Sequence, residues 1–252
     1  MTAVQGSVAE ARLQWLIERL QQTGAIAIAE AAEQLHVSEM TVRRDLAELE
    51  ERGVARRVRG GAVPLGPQPF AQRHRTRTRA KSRIASKLVD FLPDAGAVAF
   101  DASSTVMRLA ASLPGARDLT IVTNGPDTFS SLQGLSGVTA ILTGGRLDPT
   151  TGSLVGPIAG RSARMLKVDR FVTSAAAVDT ATGAAETTLD DAEVKRALAA
   201  GADEVILAID ASKLGGRALA VALEWDEIDV LVTDLDAVDP SLAPYRDLTR
   251  VV

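Results

Sequence analysis

Two sets of polar residues have the types and spacing that chemistry requires. Ser38, Met40, Thr41, Arg43 and Arg44 crowd one short stretch, and Arg56, Arg57 and Arg59 follow closely. Arginine bridges guanine O6 and N7 or grips phosphate, and Ser and Thr hydroxyls donate to either, so this set suits contact with duplex DNA. The second set lies where short apolar runs end in polar or glycine residues. Val98 to Phe100 ends at Asp101, Leu119 to Val122 at Thr123 and Asn124, and Val138 to Leu142 at Thr143, Gly144 and Gly145. Arg170 to Val172 ends at Thr173 and Ser174, Val205 to Ile209 at Asp210, and Val230 to Val232 at Thr233 and Asp234. After Asp101, the small residues Ser103, Ser104 and Thr105 offer hydroxyls and backbone N–H groups at a helix start, where the dipole favours phosphate. Lys195 and Lys213 add cationic donors, and Gly144 and Gly145 permit close backbone approach. Asp101, Glu193 and Lys195 could also serve in acid–base transfer on a sugar phosphate.

Composition removes several alternatives. The chain has 252 residues, 46% of them hydrophobic, which is enough for one or two globular domains. Without cysteine there is no disulfide, thiol nucleophile or thiolate metal site, and His36 and His74 are the only histidines. Neither a metal nor a cofactor is expected. The start, Met1 to Glu10, has no basic segment followed by an apolar run, and nothing approaches the length needed to span a bilayer, so a cytoplasmic protein is expected. The formal net charge of -4 conceals an asymmetry: residues 1–89 carry 15 Lys and Arg against 9 Asp and Glu, and the remainder carries 13 against 23. From Arg52 to Lys87 there are 11 basic residues and no acid. The two halves should therefore meet different partners.

The elements that position these residues follow from periodicity. Ser7 and Glu10 form a capping box before Leu13, Leu16, Ile17 and Leu20, predicting a helix over 8–22 stopped by Gly24. A second helix is predicted over 29–35. After the short turn His36, Val37, Ser38, a third carries Val42, Leu46 and Leu49 inward, with Gly53 as its C-cap. Burying that stripe turns Met40, Arg44 and Ala47 outward, with Thr41 and Arg43 on the flanks. The run 54–63, broken by Gly60 and Gly61, reads as a hairpin whose arginines lie along a DNA backbone. Pro64, Gly66, Pro67 and Pro69 mark an extended, fairly stiff linker. Beyond it, apolar runs alternate with helical segments such as 105–113, 158–166 and 190–200. This predicts an open α/β sheet with its ligand site outside the carboxyl ends of the strands.

The segment Val37 to Leu46, continuing through Leu49 to Arg52 and on to Arg59, Gly60, Gly61 and Ala62, resembles the winged helix-turn-helix of the DeoR family of bacterial transcriptional repressors. Asp101 to Thr105, Thr123-Asn124, Thr143 to Gly145, Asp191 to Arg196 and Asp210 to Lys213 resemble that family's C-terminal sensor domain. The resemblance runs from about Arg12 to Asp234. It implies that Ser38, Thr41, Arg43 and Arg44 approach DNA, and that Phe70 and Arg73 lead into a helix over 80–91. It also implies a mostly parallel α/β sensor with a fold shared with phosphosugar isomerases and acyl-CoA transferases. The sequence departs at Ser103, where the family usually has glycine. Serine adds a hydroxyl there but is disfavoured if φ must be positive.

The expected organisation is a winged helix-turn-helix domain at 1–63, a linker at 64–79 and an α/β effector-binding domain at 80–252. The expected function is a ligand-responsive repressor of sugar or carbohydrate metabolism genes, acting as a homodimer or homotetramer on a double-stranded operator and modulated by a phosphorylated sugar or related metabolite. The DNA-binding residues would be Ser38, Met40, Thr41, Arg43, Arg44, Arg56, Arg57 and Arg59. The effector-binding residues would be Asp101, Ser103, Ser104, Thr105, Asn124, Gly144, Gly145, Glu193, Lys195 and Lys213. A sugar-phosphate isomerase with an accessory DNA-binding domain, and a DNA binder without an effector, are the competing readings. The basic residues of 70–87 are assigned equally to DNA or to pairing with the acidic half.

Overall fold

The computed structural model describes residues 2–51, 54–64 and 70–252. They fall into two compact units, Met1–Thr76 and Arg77–Val252.

The first unit grows from three apolar stripes at helical spacing. Helix α1 (Thr2–Thr23) buries Leu13, Leu16 and Leu20; α2 (Ile28–Leu35) buries Ile28, Ala31 and Ala32; α3 (Glu39–Glu51) buries Val42, Leu46 and Leu49. Strand β1 (Ile26–Ala27) joins β2 (Ala55–Val58) and β3 (Gly61–Pro64) in an antiparallel sheet ordered β1-β3-β2. Ile26, Ala55 and Ala62 from these strands complete the same core. Gly61 is obligatory by packing: a Cβ there would lie 1.8 Å from the carbonyl oxygen of Ile26. The α2–α3 turn is made by His36 in the left-handed region, φ 52, after which Ser38 caps α3.

Three details differ from the expectation. Helix α1 begins before residue 8, so Ser7 lies inside the helix and not at its cap. Phe70–Arg75, expected as part of an extended linker over 64–79, forms helix α4 and packs on α1. This unit consequently runs to Thr76. Gly53 and the Gly66–Pro69 stretch lie outside the described residues.

The second unit opens with α5 (Thr78–Val89), followed by β4 (Ala95–Phe100), α6 (Ser104–Ala111), β5 (Asp118–Thr123), α7 (Pro126–Leu132) and β6 (Val138–Leu142). The hairpin strands β7 (Arg146–Leu147) and β8 (Leu154–Val155) precede α8 (Pro157–Arg164) and β9 (Val168–Thr173). Then come β10 (Ala177–Asp179), β11 (Gly183–Glu186), α9 (Leu189–Ala199), β12 (Ala202–Ile209), β13 (Ala220–Leu223), β14 (Val230–Thr233), α10 (Ala243–Arg246) and β15 (Arg250–Val251). Seven strands pair in the order β15-β14-β12-β9-β4-β5-β6, every pair parallel. Neighbouring residues face opposite layers. Val98, Phe100, Val172 and Ile206 pack with Ile84, Leu88, Val106 and Leu109 of α5 and α6, while Ala99, Phe171, Leu207 and Ile209 pack with Ala159, Ala163, Val194 and Leu198 of α8 and α9. A small antiparallel sheet, β10-β11-β13, also lies on the α9 side.

The strand order contains one reversal. The chain moves outward through β4, β5 and β6, then returns to place β9 on the other flank of β4. In open α/β sheets ligands bind beyond the carboxyl ends of the strands at such a switch point.

Candidate nucleic-acid interface and effector cleft

Ser38, Met40, Arg43, Arg44, Arg57 and Arg59 are exposed, and Thr41 and Arg56 are half-buried. The amphipathic pattern of α3 produces this: Val42, Leu46 and Leu49 are sealed in the core, and Met40 is 73% exposed on the opposite side. Ser38 Oγ accepts from the Thr41 N–H at 3.2 Å and lies 3.0 Å from Thr41 Oγ1, so the two hydroxyls at the start of the helix order one another. Arg43 reaches back to Glu39 at 3.1 Å. Arg57 is committed further, because its N–H donates to Glu50 Oε1 at 2.8 Å and its Nε to Oε2 at 2.6 Å, fixing β2 against α3. These backbone and side-chain bonds hold the Glu50 carboxyl below its ordinary value. Asp45, buried within α3, receives a two-pronged bond from Arg12 of α1, with Nη2 to Oδ1 at 2.9 Å and Nε to Oδ2. That pair sets the orientation of α3 and was not anticipated from the sequence.

In the second unit the polar strand ends converge at the switch point. Asp101, just past β4, is fully buried and accepts four bonds: from Ser103 N–H at 2.9 Å, Thr173 Oγ1 at 2.9 Å, Ser174 N–H at 2.8 Å and Lys195 Nζ at 2.9 Å. Lys195 also donates to the Ser174 carbonyl at 2.7 Å and to Glu186 Oε1 at 2.5 Å. Asp191, one turn before Lys195 on α9, accepts from Ser153 Oγ at 2.9 Å, and Ser153 lies 2.6 Å from Thr151 Oγ1. Lys213 donates to Ser174 Oγ at 3.1 Å and to the Ala175 carbonyl at 2.5 Å.

Electrostatics follow from one ammonium placed among three carboxylates. Burial would lower the Lys195 pKa, but Asp101, Glu186 and Asp191 together raise it above its ordinary value. Burial would raise Asp101, yet Lys195 and the hydrogen bonds from Ser103 and Ser174 hold it below. Glu186 goes the other way: burial is the largest cause, Asp191 adds repulsion, and the net effect is upward. Ionisation of Glu186 is therefore disfavoured in this cluster.

Of the residues expected to bind an effector, Asp101, Lys195 and Lys213 join this network directly. Ser103, Ser104 and Thr105 are buried at the start of α6. Ser103 has φ -74, an extended conformation open to any residue, and its Oγ accepts from Val106 N–H at 3.2 Å. The serine therefore serves as the helix cap without strain. Asn124 is fully buried at the end of β5; its Nδ2 donates to the Leu154 carbonyl at 3.2 Å, and its Oδ1 has no partner among the described residues. Gly144 and Gly145 both have positive φ, 75 and 123. At Gly145 a Cβ would meet the Val155 carbonyl oxygen at 2.8 Å and Ala159 Cβ at 2.9 Å, so packing on β8 and α8 demands the glycine.

Glu193 does not enter the cluster. It is exposed and pairs with Arg164 at 2.9 Å and Arg196 at 3.6 Å. The reason is helical geometry: Asp191 and Lys195 at i and i+4 share a face, whereas Glu193 at i+2 points away. Sequence reasoning assigned no role to Glu186, Ser153 or Thr151. Asp191 carried a readable signal in its spacing from Lys195, but Glu186 ends the alanine-rich strand Gly183–Glu186, which has no β-branched residue to announce it. Among the described residues no group of three His, Cys, Asp or Glu could hold a metal, and no helix is long and apolar enough to cross a membrane.

Comparison with known proteins identifies both units. Residues 12–67 match the DeoR-like helix-turn-helix domain and residues 76–235 the DeoR C terminal sensor domain. The chain is 32% identical to the HTH-type transcriptional regulator GlpR of Haloferax volcanii, covering 88% of this chain and 89% of that protein. It is also 32% identical to the transcriptional repressor AccR of Agrobacterium fabrum, covering 87% of each. Among solved structures it is similar to ribose 5 phosphate isomerase A from Neisseria gonorrhoeae, with 16% identity, 54% of each chain and a TM-score of 0.38. By both domain matches and these relatives, the chain belongs to the DeoR family of transcriptional regulators.

Proposed function

We propose that the protein is a cytoplasmic repressor of sugar or carbohydrate metabolism genes, released from or locked onto its operator by a phosphorylated sugar or related metabolite. The observation that carries the effector half of this reading is the unpartnered Oδ1 of buried Asn124, a hydrogen-bond acceptor at the carboxyl end of β5, the strand next to β4. A buried acceptor left unsatisfied is costly, and a ligand hydroxyl or N–H would satisfy it. The phosphate would lie at the start of α6, where Ser103 Oγ already occupies the Val106 N–H and the N–H groups of Ser104 and Thr105 would meet the anion. Asp191 and Glu186 would hold sugar hydroxyls. A similar protein is named the glycerol-3-phosphate regulon repressor of Escherichia coli, at 28% identity, in keeping with a phosphorylated metabolite as effector.

On the DNA side, Ser38, Met40, Thr41, Arg43 and Arg44 would enter the major groove, with Arg56, Arg57 and Arg59 along the backbone. A homodimer or homotetramer would place pairs of these helices on half-sites. Ligand binding without turnover is favoured over isomerisation because Asp101 and Lys195 are saturated by internal bonds and Glu193 faces solvent. The test is a titration of the full-length protein with its own upstream DNA across salt concentrations, with and without sugar phosphates. A log–log salt slope much steeper than about -0.9 and an effector-dependent shift in affinity are expected. A slope near that of one phosphate contact, or no response to any phosphorylated compound, would overturn the reading.

A further inference from the structure

The face of the parallel sheet under α5 changes character at its amino end. Side chains alternate between the two layers, so Arg170, Glu204 and Arg250 share this face with the apolar Val172, Ile206 and Val252. Helix α5 ends at Val89, and where its apolar stripe of Ile84 and Leu88 gives out the strands place charged residues instead. Lys87, Asp90 and Phe91 from the end of the helix meet those three across a hollow of about 380 Å³. The hollow lies away from the effector cleft: Arg170 is paired with Glu204 near the starts of β9 and β12, and Arg250 lies opposite Val230, the first residue of β14. About 17 Å of strand separates Glu204 from Ile209 at the carboxyl end. Most of the charge here is committed. Arg170 Nε bonds Glu204 at 2.6 Å and its Nη1 donates to the Phe91 carbonyl, while Lys87 Nζ donates to the Leu235 carbonyl at 2.7 Å. Two groups of opposite sign are not committed. Asp90 and Arg250 border the same hollow, yet make no ion pair with one another or with any other described residue. The Arg250 guanidinium lies 5.6 Å from the centroid of the Phe91 ring, a contact that holds it in place and leaves its N–H donors unused.

We propose that this hollow is a second ligand site, for a small α-amino acid whose carboxylate is gripped by Arg250 and whose ammonium is held by Asp90. The charges select a zwitterion. A dianion would satisfy Arg250 but face Asp90 and Glu204, and a simple amine would satisfy Asp90 but face Arg250 and Arg170. A molecule carrying both charges pairs both free groups. Arginine suits the carboxylate because its planar fork presents two parallel N–H donors to the two oxygens. A volume of about 380 Å³ is near the small end of pockets that hold metabolites, and Phe91 supplies apolar surface for the ligand's own side chain. The bound molecule ties the end of α5 to the edge strand β15, at the opposite end of the sheet from the effector cleft. The sensor unit thereby takes two separate small-molecule inputs.

Calorimetric titration of the full-length protein with each of the protein amino acids in turn tests this. At least one should bind with a Kd of about 1 mM or tighter. Its N-acetyl derivative, which lacks the ammonium, and its α-amide, which lacks the carboxylate, should each bind about 10- to 100-fold more weakly. Asp90→Asn and Arg250→Gln should each cause a loss of the same size while leaving the response to sugar phosphates unchanged. Both side chains are exposed, so circular dichroism and thermal melting of the variants should match wild type, and the derivatives test the same claim on the unaltered protein. No amino acid binding below about 10 mM, binding that survives both substitutions, or an N-acetyl derivative or amide that binds as well as its parent would overturn the proposal. Amino acid binding in a protein that ignores every sugar phosphate would sink the receptor reading of the cleft and leave this inference standing.

Discussion

In the first unit the residues proposed for function stand at the surface: Met40, Arg43, Arg44 and Arg59 are exposed, and their removal would leave Val42, Leu46 and Leu49 packed as before. In the second unit the corresponding residues are interior. Asp101, Lys195 and Glu186 are buried, and each is a bonding partner of another. A surface that reads DNA keeps its donors available to a large polyanion, whereas a cleft that reads a small molecule orders its polar groups in advance within a low-dielectric wall. Function and stability should therefore be separable in the first unit and entangled in the second.

The largest effect tests that entanglement. Replacing Lys195 by Met leaves Asp101, Glu186 and Asp191 buried without their shared ammonium, and should destabilise the sensor unit by about 3–5 kcal/mol in urea denaturation. A loss below about 1 kcal/mol would show that water relieves the cluster. Separability is tested by Arg43→Ala with Arg44→Ala. Operator affinity should fall by about 1–3 kcal/mol for each arginine, while the melting curve stays close to wild type because both side chains are exposed. A matching drop in stability would erase the contrast between the units.

The pH profile sharpens it further. Asp101 has a lowered pKa in the folded chain, so its stabilisation is present above the unfolded carboxylate value and is lost as pH falls through the folded one. Glu186 has a raised pKa, so its contribution is complete below the unfolded value and declines as pH rises through the folded one. Glu186→Gln should therefore remove a decline that starts near the unfolded value of 4.5 and ends once the folded value is passed, with a slope of at most about 1.4 kcal/mol per pH unit, read from denaturation midpoints. Parallel profiles for wild type and variant would contradict the upward shift at Glu186. The smallest effect belongs to the first unit: Ser38→Ala removes the α3 cap and should cost about 1 kcal/mol there, with sensor unfolding unchanged.

Much of this architecture was legible in the residues. The i, i+4, i+7 stripe of Val42, Leu46 and Leu49 placed α3 and its exposed side, and the apolar runs ending at Asp101, Asn124, Ser174 and Asp210 marked the parallel strands at their carboxyl ends. Helix α4 was missed because Pro64, Pro67 and Pro69 suggested continued extension, while packing against α1 stabilises a helix after them. The strands β10, β11 and β13 were missed because alanine-rich segments carry little strand propensity, and pairing with one another supplies what propensity does not. Glu193 was chosen for its charge, although its spacing from Lys195 already placed it on another face.

By itself the sequence determined the division into a basic, three-helix module and an acidic α/β module, because periodicity and charge are local properties. It also determined which residues end six of the seven strands of the parallel sheet. Only the tertiary structure decided which of those ends meet. Asp101 and Ser174 are 73 positions apart and touch because β9 returns to pair with β4, and Arg77 faces Asp210 because α5 covers the neighbouring layer. Parallel pairing is a non-local choice made by burial of both sheet faces, and no pattern along the chain specifies its order.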